Sequence, residues 1–250
     1  MKKIILSGAL LLASVSMVHA TPVTFNLSKY PGDSTNYYSL SNSFTLTVDG
    51  LTATFTAGAF TNDFDASGSD RTVTSNGQNG YTIGGPNNTL NATDDARIGR
   101  YYGGASVTNS PGDNSHQVDS SGWSDFITAS FSYNGEDVDV EMSSVSFSFF
   151  DNKDDFRWGY DLSGDGSYGD GDFLSYRQDD NPFSDFGGVE SSLFMFGAFD
   201  KGYKKGKDYW KLNAVTVHFE PPTTVPLPAG GLLLLSGLGV FAIARKRQKA

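Results

Sequence analysis

From Ser43 to Ala57 apolar side chains fall on every second residue on both sides of an Asp-Gly pair, and no other stretch constrains the fold as tightly. Phe44, Leu46 and Val48 alternate with polar residues, Asp49-Gly50 follows, and Leu51, Ala53 and Phe55 alternate again. A period of two puts these side chains on one face of a strand, where a helix would need 3.6. Asp-Gly supplies the two positive-φ residues of a type I′ turn, so the segment is a two-residue hairpin. Such a turn sets Val48 opposite Leu51, Leu46 opposite Ala53 and Phe44 opposite Phe55. All six then share one face, and that face must be buried.

The pattern returns along the chain. Ile127, Ala129, Phe131 and Tyr133 alternate up to a second turn signal, Asn134-Gly135. Val138, Val140 and Met142 continue it, and Val145, Phe147 and Phe149 form a further strand. Val215, Val217 and Phe219 alternate near the end, and Leu193 to Phe199 is an apolar run suited to a central strand. Ser75 to Asn91 and Tyr102 to Ser121, rich in Gly and Asn, read as long loops. Outside the two termini no stretch has a helical period, and no internal repeat is present. With 29 glycines for turns and 14% aromatic residues for a core, the expectation is an all-β domain over residues 21–220. Its architecture is expected to be an antiparallel β-sandwich, jelly-roll-like, with early and late strands interleaved.

Charge narrows the partners. All 28 acidic residues lie between Asp33 and Glu220, against 12 Lys and Arg in the same region, a formal −16. A field of that sign repels phosphates and anionic membrane surfaces, which excludes nucleic acid as a partner of this domain. Only Glu136, Glu141, Glu190 and Glu220 are Glu, so the acids are overwhelmingly Asp, the residue of turns and cation-binding loops. There is no cysteine, so disulfides, thiolate metal sites and a Cys nucleophile are excluded.

The two ends read as an address. Residues 1–20 combine Lys2 and Lys3 with an apolar stretch from Ile4 to Val15 and close on Val18-His19-Ala20. That is the order of a secretory signal helix, with cleavage by signal peptidase expected after Ala20. At the other end a proline-rich linker, residues 221–228, precedes an uncharged segment, residues 229–244, and a basic tail, residues 245–250. Sixteen helical residues cover about 24 Å, slightly less than the roughly 30 Å hydrocarbon core, a mismatch that thinning or snorkelling absorbs. The segment is therefore expected to be a C-terminal transmembrane helix, with the basic tail cytoplasmic and the domain outside.

Val225, Pro226, Leu227, Pro228 and Ala229, followed by the Gly/Leu-rich segment and the Arg/Lys tail, resemble the VPLPA-type sorting signal. That signal is a variant of the PEP-CTERM tripartite signals of Gram-negative bacteria. The resemblance covers about the last thirty residues. It implies a second partner, an exosortase, that removes the tail and passes an inner-membrane-anchored precursor to the envelope surface or extracellular matrix. Systems of this kind accompany exopolysaccharide production and biofilm formation. The stretch from Gly112 to Asp119, followed by Asp125-Phe126-Ile127, is similar to a segment of surface proteins that carry such signals, and it brings no chemistry with it.

Chemistry is concentrated in one place. In Asp161-Leu162-Ser163-Gly164-Asp165-Gly166-Ser167-Tyr168-Gly169-Asp170-Gly171-Asp172, Asp161, Ser163 and Asp165 occupy positions 1, 3 and 5 of an EF-hand-type loop. Gly166 stands at the sharp turn, Ser167 offers its carbonyl at position 7 and Asp172 closes the loop at position 12. Calcium is the cofactor these oxygens suit, although position 12 is not Glu, position 8 is Tyr168, and no helices flank the loop. Asp151, Asp154 and Asp155 stand near enough in sequence to supplement it. The alternative is a solvated Asp/Gly turn.

Catalysis is not expected. The region after Ala20 holds only His116 and His218, neither in a nucleophile context, and a glycosidase would need two carboxylates across a cleft. Trp123, Trp158 and Trp210, with Tyr101, Tyr102, Tyr160 and Tyr176, are candidate sugar contacts, against the alternative of core packing. Lys201, Lys204, Lys205 and Lys207 form a basic cluster that suits an anionic polysaccharide or a solvated loop. The sequence therefore points to a non-enzymatic envelope or matrix protein with calcium as a stabilising cofactor. A carbohydrate-binding module for exopolysaccharide is the alternative, and a glycoside hydrolase a distant one.

Overall fold

Asp49 and Gly50 have φ of 51° and 83°, and Asn134 and Gly135 have φ of 53° and 85°, so both turn signals form the positive-φ turns their residues favour. The computed structural model describes residues 20–28, 40–60, 71–73, 77–83, 92–93, 96–109, 116–120, 123–199 and 208–222. Among them there is no helix. The strands are β1 (Thr21–Asn26), β2 (Ser43–Val48), β3 (Leu51–Phe60), β4 (Arg71–Val73), β5 (Asn79–Thr82), β6 (Ala92–Thr93), β7 (Arg97–Tyr101) and β8 (Gly104–Thr108). They continue as β9 (Val118–Asp119), β10 (Ser124–Tyr133), β11 (Glu136–Asp137), β12 (Val140–Ser148), β13 (Arg157–Tyr160), β14 (Phe173–Ser175), β15 (Glu190–Ser191), β16 (Leu193–Gly197) and β17 (Tyr209–Phe219).

These strands build two large antiparallel sheets. One runs β15-β12-β17-β8-β7, with β1 and β9 also on β17; the other runs β2-β3-β10-β16-β13-β14-β5-β4, with β11 and β6 at its margins. The first hairpin has the expected register, Val48 on Leu51, Leu46 on Ala53 and Phe44 on Phe55. β16 is the central, wholly buried strand its composition demanded, between β10 and β13. Early and late strands are interleaved, since β3 lies on β10 and β1 on β17.

The two sheets share one apolar core. Phe25, Met142, Phe147, Trp210 and Val215 enter it from the first sheet, and Phe55, Phe131, Trp158, Phe173 and Phe194 from the second. Arg100 links the sheets at one margin. Its guanidinium donates to the carbonyls of Asn26 (3.1 Å), the last residue of β1, and Leu27 (3.1 Å), and lies over the Phe44 ring of β2. A smaller apolar cluster, Phe60, Ile83, Phe126, Leu174, Met195 and Phe199, sits on the outer side of the second sheet.

Three expectations need correction. Val140–Ser148 is one strand, not two; register shifts lie between Met142 and Ser144 and between Ser146 and Phe147. Phe149 is not in a strand. The ladder ends at Ser148, and Phe149 is 54% exposed with φ of 63°. Finally, the Gly-rich stretches contain β5, β8 and β9, because glycine there serves close packing as well as turning. A Cβ on Gly104 would lie against the Leu212 carbonyl, so only glycine lets β8 approach β17 at that point.

Candidate functional site

The Asp/Gly loop joins two antiparallel neighbours, β13 and β14, and holds itself with its own carboxylates. Asp161 accepts from the Gly164 amide (2.5 Å) and the Ser163 hydroxyl (3.1 Å) on one oxygen and from the Gly166 amide (2.7 Å) on the other. Asp165 accepts from the amide (2.8 Å) and hydroxyl (2.7 Å) of Ser167. Asp172, almost fully buried, accepts from Leu162 (3.0 Å), Ser163 (3.1 Å) and Gly169 (2.8 Å) amides. Gly164 and Gly166 have φ of 75° and 80°, which turns these amides inward.

The acids of the loop differ in how readily they give up a proton. The Ser167 hydroxyl and amide hold the exposed Asp165 below the usual carboxylate range. Burial pushes Asp172 up, against its three amide donors. Tyr168, at the position where an aliphatic was expected, donates to the Phe173 carbonyl (3.0 Å) and packs on the outer apolar cluster. The loop is thus a lid on that cluster as well as a set of oxygens. Among the described residues, no group of three or more His, Asp or Glu side chains is placed to hold a metal ion.

Asp151, Asp154 and Asp155 turn elsewhere. Asp154 accepts from the Asp151 amide (2.6 Å) and from the Tyr209 amide (2.9 Å) at the start of β17. Asp208 accepts from the Asp155 amide (3.0 Å), the Trp210 indole donates to the Asp155 carbonyl (3.2 Å), and Arg177 pairs with the Asp155 carboxylate (3.4 Å). Nearby, Asp125 is fully buried and accepts from the Asn109 side chain (2.6 Å) and the Asp119 amide (3.4 Å). These buried aspartates fasten the ends of strands together, a role that composition alone gave no means of locating.

The tryptophans are not a sugar-facing set. Trp158 and Trp210 have no exposure, the first packed on Phe186 and Phe173, the second on Phe147. Neither presents a face to solvent. Trp123 is half-buried against the core. Tyr160 is buried, and Tyr176 packs edge-on against Tyr81. His218 faces Glu141 at 3.8 Å on the last strand. Of the address signals, Ala20 is described and exposed. The rest of residues 1–20, the motif Val225 to Ala229, the following apolar segment and tail, and the cluster from Lys201 to Lys207 lie outside the described residues. Among the described residues no helix is long and apolar enough to cross a membrane.

One grouping was not read from the sequence. Lys211, on β17, is flanked by the rings of Tyr101 and Phe149, each 5.0 Å from its Nζ, and it donates to the Tyr102 carbonyl (3.3 Å). His116 stacks on Tyr101 at 5.0 Å and 26°, with Nδ1 3.4 Å from the tyrosine hydroxyl. Tyr102 is 65% exposed. Burial lowers the Lys211 ammonium below its ordinary value. Its signal in the sequence was the pair Tyr101-Tyr102 alone, since Phe149 and Lys211 reach it only through the β12–β17 register.

No family model, no curated protein and no solved structure matches the chain.

Proposed function

We propose that this chain is an exported, non-enzymatic envelope or extracellular-matrix protein, a jelly-roll-like β-sandwich delivered by a signal peptide and a VPLPA-type sorting signal. The observation that carries the reading is where the first and last described strands stand relative to the processing signals. β1 begins at Thr21, the residue after Ala20, and β17 ends at Phe219, two residues before the linker prolines. Signal peptidase and an exosortase are the processing partners in this reading, and the C-terminal segment is the transient membrane anchor.

Intact mass of the protein from its source organism tests this. The expected species begins at Thr21 and lacks the basic tail. A mature species that starts at Met1 or ends at Ala250 would overturn it.

Calcium belongs to the same proposal as a stabiliser of the loop. The reading rests on Asp161, Ser163, Asp165, Ser167 and Asp172 following one another around the positive-φ turn at Gly166, with Asp161 and Asp165 taking the Ser163 and Ser167 hydroxyls. When bound, the ion would supply charge compensation to these carboxylates, a role the Ser163 and Ser167 hydroxyls now share. Calcium is expected to raise the melting temperature and EDTA to reverse the gain, with Asp165→Ala insensitive to both. Identical melting in calcium and EDTA would remove the ion from the proposal.

A further inference from the structure

Lys211 is an unusual cation for so acidic a domain. Its ammonium has three donors, and its partners among the described residues are one backbone carbonyl and two ring faces, with no carboxylate. Around it the exposed apolar surface is aromatic: Tyr102 and Phe149 are two of the four large hydrophobic side chains exposed among the described residues. The backbone is strained at the same place. Phe149 and His116 both have positive φ, 63° and 47°, a region costly for bulky side chains. Gly103 makes room for the phenylalanine, because a Cβ there would run into its ring (2.7 Å). The fold therefore bears strain to hold an aromatic ring outward beside a cation with donors to spare.

Flat exposed rings beside a hydrogen-bond donor suit a partner with an apolar face and a rim of hydroxyls. We infer that Tyr102, Phe149 and Lys211 form a binding surface for a neutral pyranose of a polysaccharide, with the ring C–H face on the aromatics and the hydroxyls on Lys211 Nζ. Tyr101, stacked on His116, backs the lysine and fixes where it points. The formal charge of −16 disfavours an acidic chain, so the neutral sugar is the ligand this surface takes. This inference goes beyond the export reading and does not depend on it, since processing of the chain and sugar binding are measured separately.

The test is affinity electrophoresis of the full chain, kept in a sugar-free polyoxyethylene detergent, through native gels containing dextran, laminarin, hydroxyethylcellulose or alginate. Retardation by at least one of the three neutral glucans is expected, unchanged at high salt. The double variant Tyr102→Ala/Phe149→Gly should weaken it about tenfold or more. Phe149→Gly also relieves the positive φ, so its melting temperature should hold while binding is lost. Lys211→Gln should weaken retardation with the rings intact. No retardation by any neutral glucan, equal retardation of the double variant, or retardation by alginate alone that salt abolishes would each overturn the inference.

Discussion

Asp125 is a carboxylate without solvent exposure at the start of an inward-facing row that continues with Ile127, Ala129 and Phe131. A buried carboxyl group there needs hydrogen bonds, among them those from the Asn109 amide and the Asp119 backbone. Asp125→Ala would remove the acceptor from both buried donors, and should cost about 2–3 kcal/mol in denaturant unfolding. A loss well under that would mean the two donors find other acceptors. Asp154 and Asp172 make a second prediction. Burial raises both, so each favours the folded state most when protonated. Their contribution is complete below the unfolded value of about 3.8 and is lost as pH rises through the raised folded values. Asp165 has the opposite sign. Held low, it adds stability above its unfolded value and loses it as pH falls further, so its effect begins below the window of the other two. The melting temperature should therefore rise as pH falls from neutrality toward the unfolded value of about 3.8, with a shallower rise in Asp154→Asn. A fall over that range would contradict the assignment.

β12 and β17 carry matched irregularities, and these explain where the sequence was legible. On β12 the inward residues are Val140 and Met142 and then Val145 and Phe147, a change of phase. Ser143 absorbs it as the extra residue of a bulge, since Met142 pairs with Val217 and Ser144 with Thr216. On β17 Asn213 does the same, because Ser146 pairs with Ala214 and Phe147 with Leu212. Strict alternation found the β2–β3 hairpin to the residue but split β12 in two, for a period of two cannot cross a bulge. β8 was hidden for another reason, since Gly104 contributes close approach and no apolar side chain. The Asp/Gly loop was recognisable because its turn residues act locally. The Lys211 surface was not, because residues 101–102, 116, 149 and 211 meet only through the sheet. The two bulges should also respond differently to deletion. Removing Ser143 leaves a regular strand with every register pair intact, and is expected to cost less than about 1 kcal/mol. Removing Asn213 also preserves register but takes away its bonds to the Gly103 carbonyl and the Ser148 hydroxyl, a loss of about 2 kcal/mol or more. Equal costs on denaturant unfolding would show that the bulges serve geometry alone.

At the scale of the molecule, the first strand is held by the last. β17 has β12 along one edge and β1, then β8, along the other, and Thr21 lies directly opposite Phe219. The sheet that buries half the core therefore cannot close until both ends of the domain are in place, a contact of very long sequence separation. Under the proposed export, the domain would complete itself only after its last strand had crossed the membrane. It also makes β1 far more valuable than its length suggests. Val23, Phe25 and Leu27 are essentially inaccessible, and burying each is worth roughly 1.5–3 kcal/mol. Their sum approaches the whole stability of an ordinary domain, about 5–15 kcal/mol. The last strand, by contrast, ends at Phe219, before the linker begins at Pro221. A chain lacking residues 221–250 should unfold with the same midpoint as one that retains them, whereas a chain lacking residues 21–27 should lose cooperative thermal unfolding. If the β1 deletion still melts in one sharp transition, β17 is stable with an open edge, and closure by the first strand is not what completes the fold.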